Sequence, residues 1–178
     1  DLAWFPTGGG KTEAYMGMIA TIGFYRRLRF PEQEQIKSSV HVIMRYTLRL
    51  LTADQADRLV RLIGAMNAIS DEVESEYTFP PFRLGMWIGT AASPNDLLVN
   101  DSRPEARSAQ GNLNRLRADM EEEEGTVLQF DVCPWCGDES ENGIKSAENW
   151  QISDLNGHPS LHGCCPNSDC LFHEWIPF

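Results

Sequence analysis

The sequence predicts an α/β fold, a partial lobe with a parallel sheet over residues 1–125, followed by a small zinc-ribbon-like insert over residues 126–178. Three observations predict it. Short apolar runs alternate with helix-forming stretches, a glycine-rich turn joins the first run to the first helix, and cysteines gather in two clusters in the last third of the chain.

The glycine-rich turn is Phe5-Pro6-Thr7-Gly8-Gly9-Gly10-Lys11-Thr12-Glu13. In the frame G-x-x-x-x-G-K-[ST] of a phosphate-binding loop, Gly10-Lys11-Thr12 fits and Phe5 replaces the first glycine. Backbone N–H groups must point inward at phosphate oxygens, which glycine permits and a Cβ obstructs. Thr7, Gly8, Gly9, Gly10, Lys11, Thr12 and Glu13 are therefore the expected ATP-binding residues. Lys11 would reach the β- and γ-phosphates, and the Thr12 hydroxyl would ligate Mg2+, which makes these two the expected catalytic residues. The helix that follows adds its N-terminal partial charge.

The remaining elements follow in order. Residues 12–29 read as a helix, with Ala14, Met18, Ile19, Ile22 and Tyr25 on one face and Pro31 beyond its end. After a polar link over 32–39, Val40 to Met44 suits a buried parallel strand, in which His41 is structural. Thr52 and Gln55 form a capping box that opens a helix through Leu59, Ile63 and Met66. Arg83 to Thr90 reads as a third strand, and Ser93-Pro94 as the start of a short helix. A further helix is expected between Pro104 and Glu124, with Leu113, Leu116 and Met120 inward. Strand and helix alternating behind a phosphate loop give a RecA-like lobe. The loops at the carboxyl edge of such a sheet are where ligands bind, so Arg45, Thr47, Arg49, Thr90 and Asn95 are the expected DNA contacts.

Composition sets limits on this reading. With 178 residues, 42% hydrophobic and 23% charged, the chain has the makings of a globular domain with a small appended module. No apolar run approaches the ~18 residues of a membrane span, and no signal peptide is evident. A net charge of −11 argues against a surface that grips nucleic acid everywhere. The arginines are concentrated in the first half, at Arg26, Arg27, Arg29, Arg45, Arg49, Arg58 and Arg61, which is compatible with a local DNA track and equally with solvated arginines on helix faces, while Glu121 to Glu124 are acidic. A start at Asp1, just ahead of a phosphate loop, predicts a piece of a longer protein.

In the insert, Thr126 to Asp131 reads as a strand leading into Cys133-Pro134-Trp135-Cys136-Gly137, a knuckle whose glycine lets backbone amides turn toward the sulfurs. Cys165-Pro166-Asn167-Ser168-Asp169-Cys170 supplies a second pair. Cys133, Cys136, Cys165 and Cys170 are the expected ligands of a structural Zn2+. Cys164 competes with Cys165, and His158, His162 or His173 is an alternative to one sulfur. A disulfide pair and a redox Cys-x-x-Cys are the other readings of the same cysteines.

Taken together the chain resembles superfamily 2 helicases, and within them the helicase-like subunit of the DISARM anti-phage system. The resemblance is carried by Trp4 to Tyr15 as motif I, Arg45 to Thr52 in the place of motif Ia, Ile88 to Thr90 with Pro94-Asn95 near motif Ib, and the two cysteine pairs. It implies an ATP-dependent DNA helicase or translocase of the bacterial cytoplasm, using Mg2+, working beside a second subunit in defence against phage and not in a membrane. The acidic metal-binding pair, second lobe and arginine finger of such enzymes are absent from these residues, so the piece alone is expected not to turn over ATP. Two other classes fit the motifs: another P-loop ATPase or kinase, and a zinc-stabilised DNA-binding or protein-docking module without ATPase activity.

Overall fold

A computed structural model of the chain describes residues 10–37, 39–44, 53–73, 79–86, 93–94, 96–99, 108–121, 127–155 and 158–177. Its elements are α1 (Lys11–Arg29), a single turn α2 (Glu34–Lys37), α3 (Ala53–Glu72), α4 (Ala109–Arg117), and an antiparallel hairpin of β1 (Trp150–Leu155) with β2 (His158–Gly163). Among the described residues no helix is long and apolar enough to cross a membrane.

Helix α1 starts at the glycine-rich turn, and its last turn carries Arg26, Arg27 and Arg29, where cations complement the helix dipole. Its inward face differs from the expected one. Met18 and Tyr25 are exposed, and Ala20, Gly23 and Phe24 face α3 while Arg27 is buried against the Phe82 ring. Small residues decide this: a Cβ on Gly23 would stand 3.0 Å from both Met66 Cε and the Phe82 ring, so the helices approach where no side chain intervenes. Arg27 does not join a DNA track. It is 3% exposed, its guanidinium carbon lies 3.3 Å from the Phe82 ring centroid, and burial lowers its pKa to about 10.

Helix α3 runs as predicted through Leu59, Ile63 and Met66, all buried. Thr52 of the expected capping box lies outside the described residues. The side chain of Asn67 accepts from Phe82 N at 2.7 Å and donates to Phe82 O at 3.0 Å, and Leu84 N donates to Pro177 O at 2.9 Å. These bonds explain why residues 82–84 stand in no ladder: their backbone groups are already used by a helix side chain and by the C-terminal segment. Residues 40–44 also lie outside any ladder, with Val40 and Ile43 exposed. The described residues thus hold one antiparallel hairpin and no parallel sheet. The other segments expected in that sheet, 1–9 and 87–90, lie outside them.

Three further expectations are corrected. Ser93-Pro94 starts no helix. Instead the carbonyls of Asp96 and Leu97 accept from Ala109 N at 2.8 Å and Gln110 N at 3.0 Å, satisfying first-turn donors of α4 alongside the Ser108 side chain, which accepts from Gly111 N. Helix α4 stops at Arg117, well before Glu124. Asp119 is left-handed at φ 54°, and the bonds Met120 N to Arg115 O and Asp119 N to Leu116 O form a Schellman closure. The acidic residues that follow would oppose the dipole of a longer helix. Met120 is consequently exposed, while Leu113 and Leu116 pack as expected. Residues 127–131 form no strand, although Val127 and Phe130 are buried.

Two apolar clusters flank α3. One holds Ile63, Met66 and Phe82 with α1, and the other gathers Val60, Leu113, Phe130, Ile144, Trp150, Phe172 and Ile176 with three of the cysteines. The core of the cysteine module therefore extends past residue 126 into α3. A Cβ on Gly64 would lie 2.5 Å from the Phe172 ring, whereas one on Gly17 meets nothing within 4 Å. We expect Gly17→Ala to stabilise the protein by about 0.5–1 kcal/mol through helix propensity. Gly64→Ala, with the same propensity gain, should destabilise it by about 1–3 kcal/mol through overpacking. Urea unfolding of both variants reads the opposite signs, and equal signs would refute the close approach.

Candidate metal centre

The two knuckles bring four sulfurs together. Those of Cys133, Cys136, Cys165 and Cys170 all lie within 4.8 Å of one another. Cys133 Sγ is 3.7 Å from Cys170 Sγ, and Cys136 Sγ is 3.7 Å from Cys165 Sγ. A tetrahedron of thiolates with bonds of ~2.3 Å has edges of about 3.8 Å, so the cluster has the dimensions of a four-thiolate metal site. It does not have those of a disulfide, which requires about 2.05 Å. All the cysteines are unbonded.

Backbone geometry forms each knuckle. At the first, Gly137 N donates to Cys133 O at 3.0 Å and Cys133 N to Asp138 O at 2.9 Å, closing a turn that takes Gly137 to φ 76°, a conformation glycine adopts without strain. At the second, Cys170 N donates to Asn167 O at 3.0 Å, Cys165 N to Phe172 O at 2.8 Å, and Phe172 N to the Cys170 sulfur at 3.3 Å. An amide aimed at a sulfur favours its thiolate.

The hairpin sets the distance between the knuckles. Trp150, at its start, is 1% exposed, donates from Nε1 to Ile144 O at 2.6 Å and stacks on Phe130 at 6.3 Å between centroids. Its register pairs Trp150 with Gly163, immediately before Cys164 and Cys165. Trp135 of the first knuckle meets Phe172 of the second with ring centroids 5.6 Å apart.

Three of the rival ligands lie away from the four clustered sulfurs. Cys164 turns away, its sulfur 3.6 Å from Asn149 O, and burial pushes its thiol up. His173 Nδ1 sits 3.0 Å from Cys165 O, where it holds the second knuckle's backbone without joining the sulfurs. His162 is outside the cluster too, with Nε2 buried and burial lowering its pKa. The side chain of His158 is outside the described residues.

Burial pushes the Cys165 thiol well up and that of Cys170 up to about 11, and the neighbouring thiols add to both shifts. Cys136 is also pushed up by burial, but an amide from Asp138 and donation from the neighbouring thiols outweigh this and hold it below the usual thiol value. Without a cation, then, Cys165 and Cys170 favour their protonated forms. A divalent ion supplies the charge that several buried thiolates need, and the four residues can hold a metal such as zinc. An open cleft of about 540 Å3, lined by Cys136, Asp138, Ser140, Asn142 and Asn167, gives it a path from solvent.

Of the expected phosphate loop, Gly10 and the first turn of α1 are described; Thr7, Gly8 and Gly9 lie outside the described residues, as do Arg45, Thr47, Arg49, Thr90 and Asn95. Gly10 is left-handed at φ 74° and its carbonyl accepts from Ala14 N at 3.0 Å, opening the helix at Lys11 and Thr12. It has no side chain with which to cap the first-turn donors. Glu13 is paired with Arg58 of α3, and the Arg58 hydrogen bond lowers its pKa. Arg58 and Arg61 belong to the arginine-rich first half that is compatible with a local DNA track. Both instead hold protein groups, Arg61 the carbonyl of Pro134 in the first knuckle. Glu13–Arg58 has no sequence signal, since its partners are 45 residues apart and meet only through helix packing.

The chain is 37% identical over 142 residues to the DISARM protein DrmA of Bacillus paralicheniformis, a match that covers 77% of this chain and 12% of that protein. The chain thus spans a small part of the relative's length. No protein-family profile matches the sequence, and no solved structure matches it.

Serine at Cys133, Cys136, Cys165 or Cys170 should lower zinc affinity at least about 10-fold, whereas Cys164→Ser should leave it unchanged; competition with a chromophoric chelator reads both. A loss in Cys164→Ser equal to that in Cys165→Ser would reassign the ligand. With Cys170 raised from 9.0 to about 11, the metal-free fold has the benefit of neutral thiols below pH 9 and should lose it as the pH rises through 11. The metal-loaded form should instead weaken on acidification, because its thiolates must take up protons. Thermal unfolding of both forms across this range tests the opposite slopes.

Proposed function

We propose, for a chain that belongs with the DrmA-like proteins of DISARM, that it is a nucleotide-binding part of an ATP-dependent DNA helicase or translocase in anti-phage defence. In this reading residues 1–125 belong to a RecA-like lobe whose loop, Thr7 to Glu13, binds ATP. Lys11 neutralises the β- and γ-phosphates and Thr12 orients Mg2+. Residues 126–178 are a zinc-stabilised insert. Arg45, Thr47, Arg49, Thr90 and Asn95 contact DNA, and a second DISARM subunit is the protein partner, in the cytoplasm.

The observation that carries this reading is the turn at Gly10. A left-handed glycine delivers Lys11 and Thr12 to the first turn of a 19-residue helix whose N-terminal donors have no side-chain cap, the arrangement that anion binding at a helix start uses. The charge of the insert supports a division of labour. Residues 127–177 contain no arginine and a single lysine, Lys145, against many carboxylates. Such a surface repels a phosphate backbone, so DNA contact falls to the arginines of the first half and the insert is structural.

In the full-length protein, Lys11→Ala should lower DNA-stimulated ATP hydrolysis about 100-fold or more. Hydrolysis at the wild-type rate would end the helicase reading, and activity indifferent to DNA would favour a P-loop enzyme acting on a small molecule. Arg45→Ala and Arg49→Ala should each reduce the salt slope of DNA binding by about 1. Unchanged slopes would remove them from the phosphate track.

A further inference from the structure

Helix α3 touches both candidate sites, on different faces. Toward the thiols, Val60 is fully buried in the core that contains Cys133, Cys165 and Cys170. Gly64 admits the Phe172 ring at a separation that leaves no room for a Cβ, and Arg61 Nε donates to the Pro134 carbonyl between the first two cysteines. Toward the phosphate loop, Ile63 and Met66 pack with Ala20 and Phe24 of α1, and Gly23 lies against Met66. At the start of α3, Arg58 holds Glu13, the residue that follows Lys11 and Thr12.

We propose that α3 couples the two sites: metal held by the four thiols fixes α3, and α3 fixes the loop helix α1, so metal occupancy sets nucleotide affinity and Arg58 acts as a positioning residue for the phosphate loop. The inference rests on the nucleotide reading of that loop. The two states are α3 docked on closed knuckles and α3 released. Only closed knuckles present Phe172 and the Pro134 carbonyl together, and an ion shared by four sulfurs that lie within 4.8 Å of one another holds the knuckles closed. The Arg58–Glu13 pair is 35% and 63% exposed at its two side chains, so it supplies orientation, while the packed faces of α3 supply the strength of the link. Coupling of this kind is reciprocal: nucleotide must tighten metal binding by the factor by which metal tightens nucleotide binding.

The test uses the full-length protein, a fluorescent ATP analogue, zinc, and hydrogen exchange. Removing zinc should weaken analogue binding about 5-fold or more, and saturating analogue should tighten zinc by the same factor. Zinc removal should also speed amide exchange in residues 11–29. Gly64→Ala, which keeps all four thiols, should retain zinc but bring the factor toward 1. Arg58→Ala should weaken analogue binding in zinc-loaded protein, with partial recovery in Arg58→Lys. Identical analogue affinity with and without zinc, or exchange in α1 indifferent to zinc, overturns the coupling, as does a Gly64→Ala protein that keeps both zinc and the full factor. If Lys11→Ala binds the analogue as well as wild type, the phosphate-loop reading fails instead, and α1 exchange alone decides whether α3 transmits the state of the metal site.

Discussion

Four thiols that must share a space of a few ångströms are the constraint on which the second half of this molecule depends. A polar, strongly acidic segment with one hairpin cannot bury enough apolar surface to order itself. Its core consists of Val127, Phe130, Ile144, Trp150, Phe172 and Ile176 wrapped around Cys133, Cys165 and Cys170. The hairpin, the Gly137 turn and the bond between Cys165 N and Phe172 O all serve to bring two distant knuckles to one point. A metal ion converts that crowding from a cost in charge repulsion into a source of stability.

The same constraint reaches the first half through α3. A helix with one apolar stripe normally serves one core, but α3 gives Val60 and Gly64 to the cysteine side and Ile63 and Met66 to α1. Between these clusters, Asn67 and Pro177 hold residues 82–84 from either side. The cysteine cluster and the helix α1 that follows the glycine-rich turn are thereby joined by packing, not merely by sequence.

The grouping of Cys133, Cys136, Cys165 and Cys170 was legible in the sequence because Cys-x-x-Cys-Gly and Cys-Pro-Asn-x-x-Cys specify local turns, and local turns follow from local residues. The start of α1 was legible for the same reason. Its inward face was not: periodicity selects large apolar residues, whereas Gly23 and Ala20 were chosen by the proximity of α3, which no window of α1 contains. The end of α4 depended on Asp119 adopting a left-handed conformation, a choice made by two backbone bonds. Between Cys164 and Cys165, open in the sequence, the structure puts the Cys164 sulfur beside Asn149 O and the Cys165 sulfur among the clustered thiols. Of the segments expected in a parallel lobe, 40–44 and 83–86 are described and stand in no ladder, 1–9 and 87–90 lie outside the described residues, and the lobe is part of the proposed function.

The most direct measurement is X-ray absorption at the zinc edge of the full-length protein. The account predicts a first shell of four sulfurs at about 2.3 Å. A shell containing histidine nitrogen, or protein that carries no zinc when purified without chelator, would contradict it.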